Sequence, residues 1–371
     1  MNQKIKVLFI PKVEKKGITS ERTPKMMELL SRSFEVKGLP MDRLDAFVFN
    51  QSYNKPARYL LFPMDVAHIA CMVIRELRRE KYNVIFAEGS YYSLAASLAA
   101  WLTRTPLIWD NHGNIVTFSK IQGKSRIFTW GNLIFERRLQ RLCSKILVVN
   151  QRDMEDYVDL GFERSKLEVV PTCADMIMVR KGIRKREQAR SILGIPNGEV
   201  LVLFVGMLTY APNAEAVQYL ASILPEIRKD FPHLNLYVAG AGPPPITPPE
   251  GMHFLGFVPD LYIWLSASDI CVAPIWRGVG ILTKVIDYLS AGKASVVTPL
   301  ALDGIPELKD GVNCLIGQDY EDFKRKLRLL VQDEMLRERL ANEGKGLIEN
   351  LYSCEVVFQA LQEIVLDLAA Q

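Results

Sequence analysis

The sequence predicts an α/β protein made of two open, Rossmann-like parallel-sheet units, and three observations carry that prediction. Short β-branched and aromatic runs alternate with helix-period stretches along the chain. A charged segment closing on Pro196, Asn197 and Gly198 interrupts the alternation near its middle. Glycines follow several of the strand-like runs of the second half, where such sheets bind their ligands. At 371 residues the chain is long enough for two domains of roughly 100 to 200 residues each. Its 49% hydrophobic and 24% charged residues suit packed cores and exclude a disordered or fibrous chain.

The first strand series is KVLFI (6–10), AFVFN (46–50), NVIFAEG (83–89), PLIWDNHG (106–113), KILVVN (145–150) and LEVVP (167–171). Residues 180–199 then bring charge and a turn, and the junction is placed between 180 and 181. The second series is VLVLFVGML (200–208), LNLYVAGAG (234–242), MHFLGFV (252–258), DICVAPI (269–275) and ASVVTP (294–299). This gives an N-terminal unit over 1–180 and a C-terminal unit over 181–353. A last helical segment, 354–369, has the length to pack back on the first unit.

Charge divides unequally: residues 1–180 hold 28 Lys+Arg against 19 Asp+Glu, and residues 181–371 hold 18 against 23. A basic first half suits an anionic lipid surface or a phosphorylated acceptor, and an ordinary solvated surface explains it equally well. No arginine-rich arm, zinc finger or aromatic-basic RNA motif is present, so nucleic acid is not an expected partner. The six cysteines, at 71, 143, 173, 271, 314 and 354, form no C-x-x-C pair or Cys/His cluster, which argues for buried apolar cysteines and against a metal site. The N-terminal apolar run, Val7 to Ile10, is too short for a signal peptide or a membrane span, so a cytoplasmic protein is expected.

Four strand ends of the second unit carry glycine: Gly206 in FVGMLTYAPN, Gly240 and Gly242 in VAGAGPPP, Gly256 in LGFVPD, and Gly278 and Gly280 in PIWRGVG. Glycine permits close backbone approach to a ligand, and free amides ahead of a helix attract anions. In GVGILTKVIDYLSAGK (278–293), Leu282, Val285, Ile286 and Leu289 form an apolar stripe. Lys284 and Asp287, three residues apart, share a face offset from it. A cation at the helix start with a carboxylate one turn deeper suits a pyrophosphate and a ribose; a surface ion pair worth about 0–1 kcal/mol is the competing reading.

These glycine-bearing segments, followed by DGVNCLI (310–316), resemble in order and spacing the donor-binding domain of GT-B fold glycosyltransferases of group 1, a mostly retaining family of mannosyl- and glucosyltransferase-like enzymes. NVIFAEGSYYSLAASLAAWLTRTPLIWDNHG and FERRLQRLCSKILVVNQRDMEDYVDLGFERSKLEVVPTCAD resemble the family's acceptor domain more loosely. The resemblance implies a GT-B architecture, two Rossmann-like domains facing across a cleft. It implies that Gly206 and its loop, with Gly240, approach the donor phosphate and that Phe257 and Val258 frame the base. Gly280 and the amide of Ile281 would face sugar and phosphate, with Lys284 at the pyrophosphate and Asp287 at the ribose. His112 would lie near the transferred sugar.

Three departures from the family pattern stand out. The first of the two family glutamates falls at Val279, and the second is the shorter Asp287. Thr209, Tyr210 and Asn213 occupy the loop where many relatives hold the diphosphate with Arg and Lys, which leaves Lys284 as the main cation, with Arg277 as a helper. Thr172 and Cys173 replace the usual Asn-Gly at the end of the acceptor domain.

The expected activity is transfer of a sugar from a UDP- or GDP-linked donor to a hydroxyl acceptor, with retention. The nucleotide sugar is a co-substrate, and no other cofactor or metal is expected, because no D-x-D motif falls at a strand end. In an inverting reaction Asp110 is the candidate base. A sugar-nucleotide epimerase and a non-catalytic binding subunit are the alternatives, the latter kept open by Val279. The acceptor is a glycan or a lipid-linked molecule. Lys12, Lys15 and Lys16, with YNKPARYLLFP (53–63), offer a peripheral contact with an anionic membrane.

Overall fold

The computed structural model describes residues 4–11, 22–39, 55–111, 113, 116, 119, 123–278 and 280–371. Two compact units emerge: Met1–Pro171 with Val357–Gln371, and Thr172–Val356.

In the first unit β1 (Lys6–Ile10), β2 (Glu35–Gly38), β3 (Val84–Glu88), β4 (Leu107–Asp110), β5 (Lys145–Val148) and β6 (Leu167–Val169) form one parallel sheet in the order β2-β1-β3-β4-β5-β6. Val7 to Ile10 and Val84 to Ala87 are fully buried, as continuous apolar strands covered on both faces must be. The expected strand 46–50 lies outside the described residues. Among the described residues β2 holds one edge of the sheet, and its exposed and half-buried residues alternate; an edge strand facing water has no apolar run to announce it. The described helices of this unit include α1 (Arg22–Ser31), α2 (Lys55–Arg79), α3 (Gly89–Thr103), α4 (Arg126–Leu139) and α5 (Gln151–Asp159).

In the second unit β7 (Val200–Val205), β8 (Leu234–Ala239), β9 (Met252–Gly256), β10 (Ile270–Ala273), β11 (Ala294–Val297) and β12 (Leu315–Ile316) are ordered β12-β11-β10-β7-β8-β9, again parallel. The chain leaves β7 in one direction, through β8 and β9, and returns on the other side at β10. The carboxyl ends of β7 and β10 therefore flank the switch point, the crevice where doubly wound sheets take ligands. Helices α6 (Met176–Gly182), α7 (Arg186–Leu193), α8 (Ala211–Asp230), α9 (Leu261–Ala267), α10 (Thr283–Ser290), α11 (Ala301–Gly304), α12 (Tyr320–Gln332) and α13 (Glu334–Leu351) belong to this unit, and α14 (Cys354–Ala369) ends the chain.

The division falls between 171 and 172 rather than between 180 and 181. Met176 and Val179 of α6 are buried in the second unit's core, so the segment before the charged stretch has already changed sides. The Ala174 amide donates to the Tyr352 carbonyl at 2.8 Å, and the Cys354 amide donates back to Ala174 at 2.9 Å. A disulfide joins Cys173 to Cys354 across 181 residues. Sequence spacing gave no hint of it, because the two cysteines meet only through the tertiary fold. Cys143, Cys271 and Cys314 are buried thiols, as expected, whereas Cys71 is exposed.

Candidate active site

Three glycine-bearing loops stack at the carboxyl edge of the second sheet because the strand ladder continues into them. The Gly206 amide donates to Ala239, Gly240 to Gly256, and Leu208 to Ala241, at 2.8–2.9 Å. Gly240 admits no side chain, since a Cβ there would lie 1.9 Å from the Gly206 carbonyl oxygen. Gly206 is likewise covered by the Asn213 side chain, 2.7 Å from where its Cβ would be.

Asn213, in the first turn of α8, is the buried hub of the site. Its Nδ2 donates to the Met207 carbonyl at 2.9 Å, fixing the loop after β7. Its Oδ1 accepts from the Lys284 Nζ at 2.6 Å. The Lys284 ammonium also lies 4.3 Å from the centre of the Phe204 ring, within cation–π range. Part of Lys284 stays exposed, yet burial of its ammonium end lowers its pKa from the ordinary lysine value to about 7. Among the described residues no carboxylate stands within ion-pair distance of it.

Tyr288 ties the two strands of the switch point together. Its buried hydroxyl accepts from the Val205 amide at 2.8 Å and donates to the Val272 carbonyl at 3.4 Å. Burial drives its phenol well above the ordinary value. The sequence signal was a tyrosine next to an apolar helical stripe, which needs a partner for its hydroxyl once buried. The loop after β10 is anchored by Thr298, which donates to the Ile275 carbonyl. Gly280 adopts φ 72°, and Ile281 rests on α11 at Gly304, where a Cβ would come within 2.7 Å of it.

The structure thus gathers Gly206, Gly240, Gly280, Ile281 and Lys284 around the β7 and β10 ends. Asp287 lies one turn below Lys284, partly buried. Phe257, after Gly256 at the end of β9, is exposed, while Val258 packs on the core. Arg277 differs from the expectation of a helping cation: it forms a bidentate pair with Glu215 of α8, its Nε at 2.8 Å. Two exposed side chains at adjoining loop and helix ends satisfy each other before any ligand arrives. Val279 lies outside the described residues.

Asp110, Asn111 and Gly113 of the DNHG segment belong to the first unit. Asp110, at the buried end of β4, is in register with Glu88 of β3. Thr23 Oγ1 donates to Glu88 Oε2 at 2.7 Å. Asn111 Nδ2 donates to the Tyr157 hydroxyl at 2.5 Å, whose single proton is shared between two acceptors, Gly113 O and Glu136 Oε2, each at 3.4 Å. Ser90 Oγ donates to the other Glu136 oxygen. Burial raises the Glu136 carboxyl to about 7. His112 lies outside the described residues, although both of its neighbours are held by this network.

A family model described as Glycosyl transferases group 1 matches residues 199–333, and one described as Glycosyltransferase Family 4 matches residues 38–176. The fold is similar to that of sucrose-phosphate synthase from Thermosynechococcus elongatus, at 15% identity over 99% of each chain with a TM-score of 0.75. It is also similar to Anabaena HepE in complex with UDP and glucose, at 15% identity over 98% of this chain and 100% of that one, TM-score 0.74. A UDP-forming α,α-trehalose-phosphate synthase from Burkholderia xenovorans gives 11% identity over 99% and 100%, TM-score 0.72. No curated protein matches the chain in sequence.

Proposed function

Because the chain belongs to the group 1 glycosyltransferases of GT-B fold, we propose that it transfers a sugar from a nucleoside-diphosphate donor bound at the β7–β10 switch point, with Lys284 as the cation on the leaving group. The observation that carries this reading is the Lys284 ammonium. It sits at the sheet edge with only neutral described partners, a carboxamide oxygen and an aromatic ring, and it has lost enough hydration for its pKa to fall to about 7. A diphosphate supplies the missing counter-charge. UDP is the first candidate, since HepE is described in complex with it, and GDP the second.

As the bond from the anomeric carbon to the β-phosphate oxygen breaks, negative charge grows on the diphosphate. Lys284 and the first amides of α10 stabilise that charge without reorganising. The acceptor oxygen forms the new bond to the same carbon. In a retaining, front-face reaction its proton passes to the departing phosphate oxygen, so neither a protein base nor a metal is required. Inversion would need a carboxylate, and Asp110 is the first unit's candidate. Asp287 is assigned to the ribose, Phe257 and Val258 to the base, and His112 to the transferred sugar. The acceptor is a glycan or lipid-linked hydroxyl bound by the first unit.

A thermal-shift panel of UDP, GDP, ADP and their common sugars tests the assignment on wild type and on Lys284→Ala and Asp287→Ala, because a ligand of the native state raises its stability by mass action. One nucleotide is expected to stabilise wild type and to lose that effect in both variants. Undiminished shifts and turnover in Lys284→Ala would place the donor elsewhere.

A further inference from the structure

From residue 89 to residue 152 the chain carries nine Lys or Arg and only two carboxylates, Asp110 and Glu136. Both carboxylates are buried, at 0% and 1% exposure. The surface of this stretch therefore has cations and no acidic side chain. Two of its helices, α3 and α4, pack against each other, and α3 lies on β3 and β4 of the first sheet.

The apolar residues of α3 are arranged inside out. Ala95, Ala96, Ala99 and Ala100 face the core, while Leu98, Trp101 and Leu102 face outward, Trp101 at 69% exposure. Hydrophobic burial alone would favour the reverse, since a leucine or tryptophan gains far more than an alanine on leaving water. On α4 the outward residues are Ile127, Phe128 and Trp130, with Ile127 at 83% and Trp130 at 65% exposure. Lys124, Arg126 and Arg138 are exposed beside them. At the lower end of the face, a groove of about 890 Å³ is lined by Arg78, Lys81, Arg104 and Arg141. Its carboxylate, Glu80, is taken by Lys6.

We propose that the α3–α4 face of the first unit is a docking surface for an anionic phospholipid bilayer. Tryptophan and aliphatic side chains enter the headgroup boundary, and the surrounding lysines and arginines meet lipid phosphates. Charge complementarity selects this occupant: the exposed charges of residues 89–152 are cations, and the groove adds Arg78, Arg79 and Lys81 against one carboxylate paired with Lys6, whereas a neutral protein partner would need no such excess. No described helix is long and apolar enough to cross a membrane, and the contact proposed is a peripheral one. Lys12, Lys15 and Lys16 lie outside the described residues, as do the side chains of YNKPARYLLFP (53–63), so this face is a separate assignment from the contact expected there. The assignment is independent of the donor site, although it suits the lipid-linked acceptor of the proposed reaction.

The test is co-sedimentation of the full chain with phosphatidylcholine vesicles, with and without phosphatidylglycerol. Wild type is expected to pellet only with the anionic vesicles, less so at high salt, with a blue shift of tryptophan emission. Arg126→Gln/Arg138→Gln/Arg141→Gln should weaken binding at least about tenfold, since each cation near such a surface contributes several-fold. Trp101→Phe/Trp130→Phe should lose the blue shift, and Trp101→Ser/Trp130→Ser the association. Turnover with a water-soluble acceptor should be unchanged in all three, which separates this face from the donor site. No association of wild type at low salt, or equal association of the variants, would overturn the proposal. So would capture of inorganic phosphate in the groove without vesicle binding, or a dimer in sedimentation velocity that Trp101→Ser/Trp130→Ser dissociates.

Discussion

The Lys284 ammonium donates to the Asn213 carboxamide oxygen at 2.6 Å, and the same carboxamide holds the loop after β7 through Met207. One neutral side chain therefore positions both the cation and the glycine loop of the proposed donor site. By the family resemblance, Thr209, Tyr210 and Asn213 occupy the loop where many relatives hold the diphosphate with Arg and Lys, and here Asn213 serves Lys284 instead.

Asn213→Ala would leave the ammonium without its acceptor and the Met207 carbonyl without its donor. Loss of one partner of a buried polar pair costs about 1–3 kcal/mol. Donor affinity measured by calorimetry should fall about tenfold to a hundredfold. Asn213→Asp should also bind donor more weakly, since its carboxylate competes with the diphosphate for Lys284.

Lys284 at about 7 is largely neutral at pH 8 in the free protein. Binding of a diphosphate should restore its charge, so the complex should take up nearly one proton at that pH. Calorimetry in buffers of different ionisation enthalpy measures this directly, and donor affinity should fall as pH rises from 7 to 9. For folding the sign is opposite. The unfolded chain binds the proton more strongly up to the ordinary lysine value of 10.5, so this group's contribution to stability rises with pH between about 7 and 10.5. Lys284→Met should abolish both the proton uptake and that slope.

Glu136 titrates in the other sense. Its folded pKa of about 7 lies above the ordinary 4.5, so its stabilising contribution is complete below 4.5 and is lost as pH rises to about 7. The loss is on the order of 3 kcal/mol. Glu136→Gln, which stays neutral, should show no such fall in urea denaturation across that range. It should be more stable than wild type at pH 8, its carboxamide oxygen accepting from one of the Ser90 and Tyr157 hydroxyls and its Nε2 donating to the other.

The Cys173–Cys354 disulfide closes a loop of nearly half the chain. Reduction, or Cys354→Ser, should lower stability by about 2–4 kcal/mol. Thiol titration of the denatured chain should give four free thiols without reductant and six with it. Such a bond persists in oxidising surroundings and is uncommon in a reducing cytosol, so it bears directly on the compartment expected from sequence.

Much of the fold was legible because parallel strands buried on both faces must be apolar runs: KVLFI, NVIFAEG and VLVLFVGML each contain a strand of the structure. The exposed edge strand β2 was not, since a strand facing water carries no such run. The glycines of the candidate site were legible for a similar reason, because Gly206 and Gly240 approach each other too closely for a side chain. Tyr288 and Glu215 escaped notice. Their roles depend on strands and loops brought together from distant parts of the chain.

The sequence by itself determined the α/β class, the strand-glycine pattern, the candidate lysine and its family, since these follow from local periodicity, backbone sterics and the order of motifs. Tertiary structure alone decided the rest. It turned Lys284 toward Asn213 rather than toward an acidic partner, paired Arg277 with Glu215, joined Cys173 to Cys354, and set the two leucines of α3 and the tryptophans of α3 and α4 outward. Each of these depends on which distant side chains share a dry or solvated space, and that is fixed by packing, which no local pattern encodes.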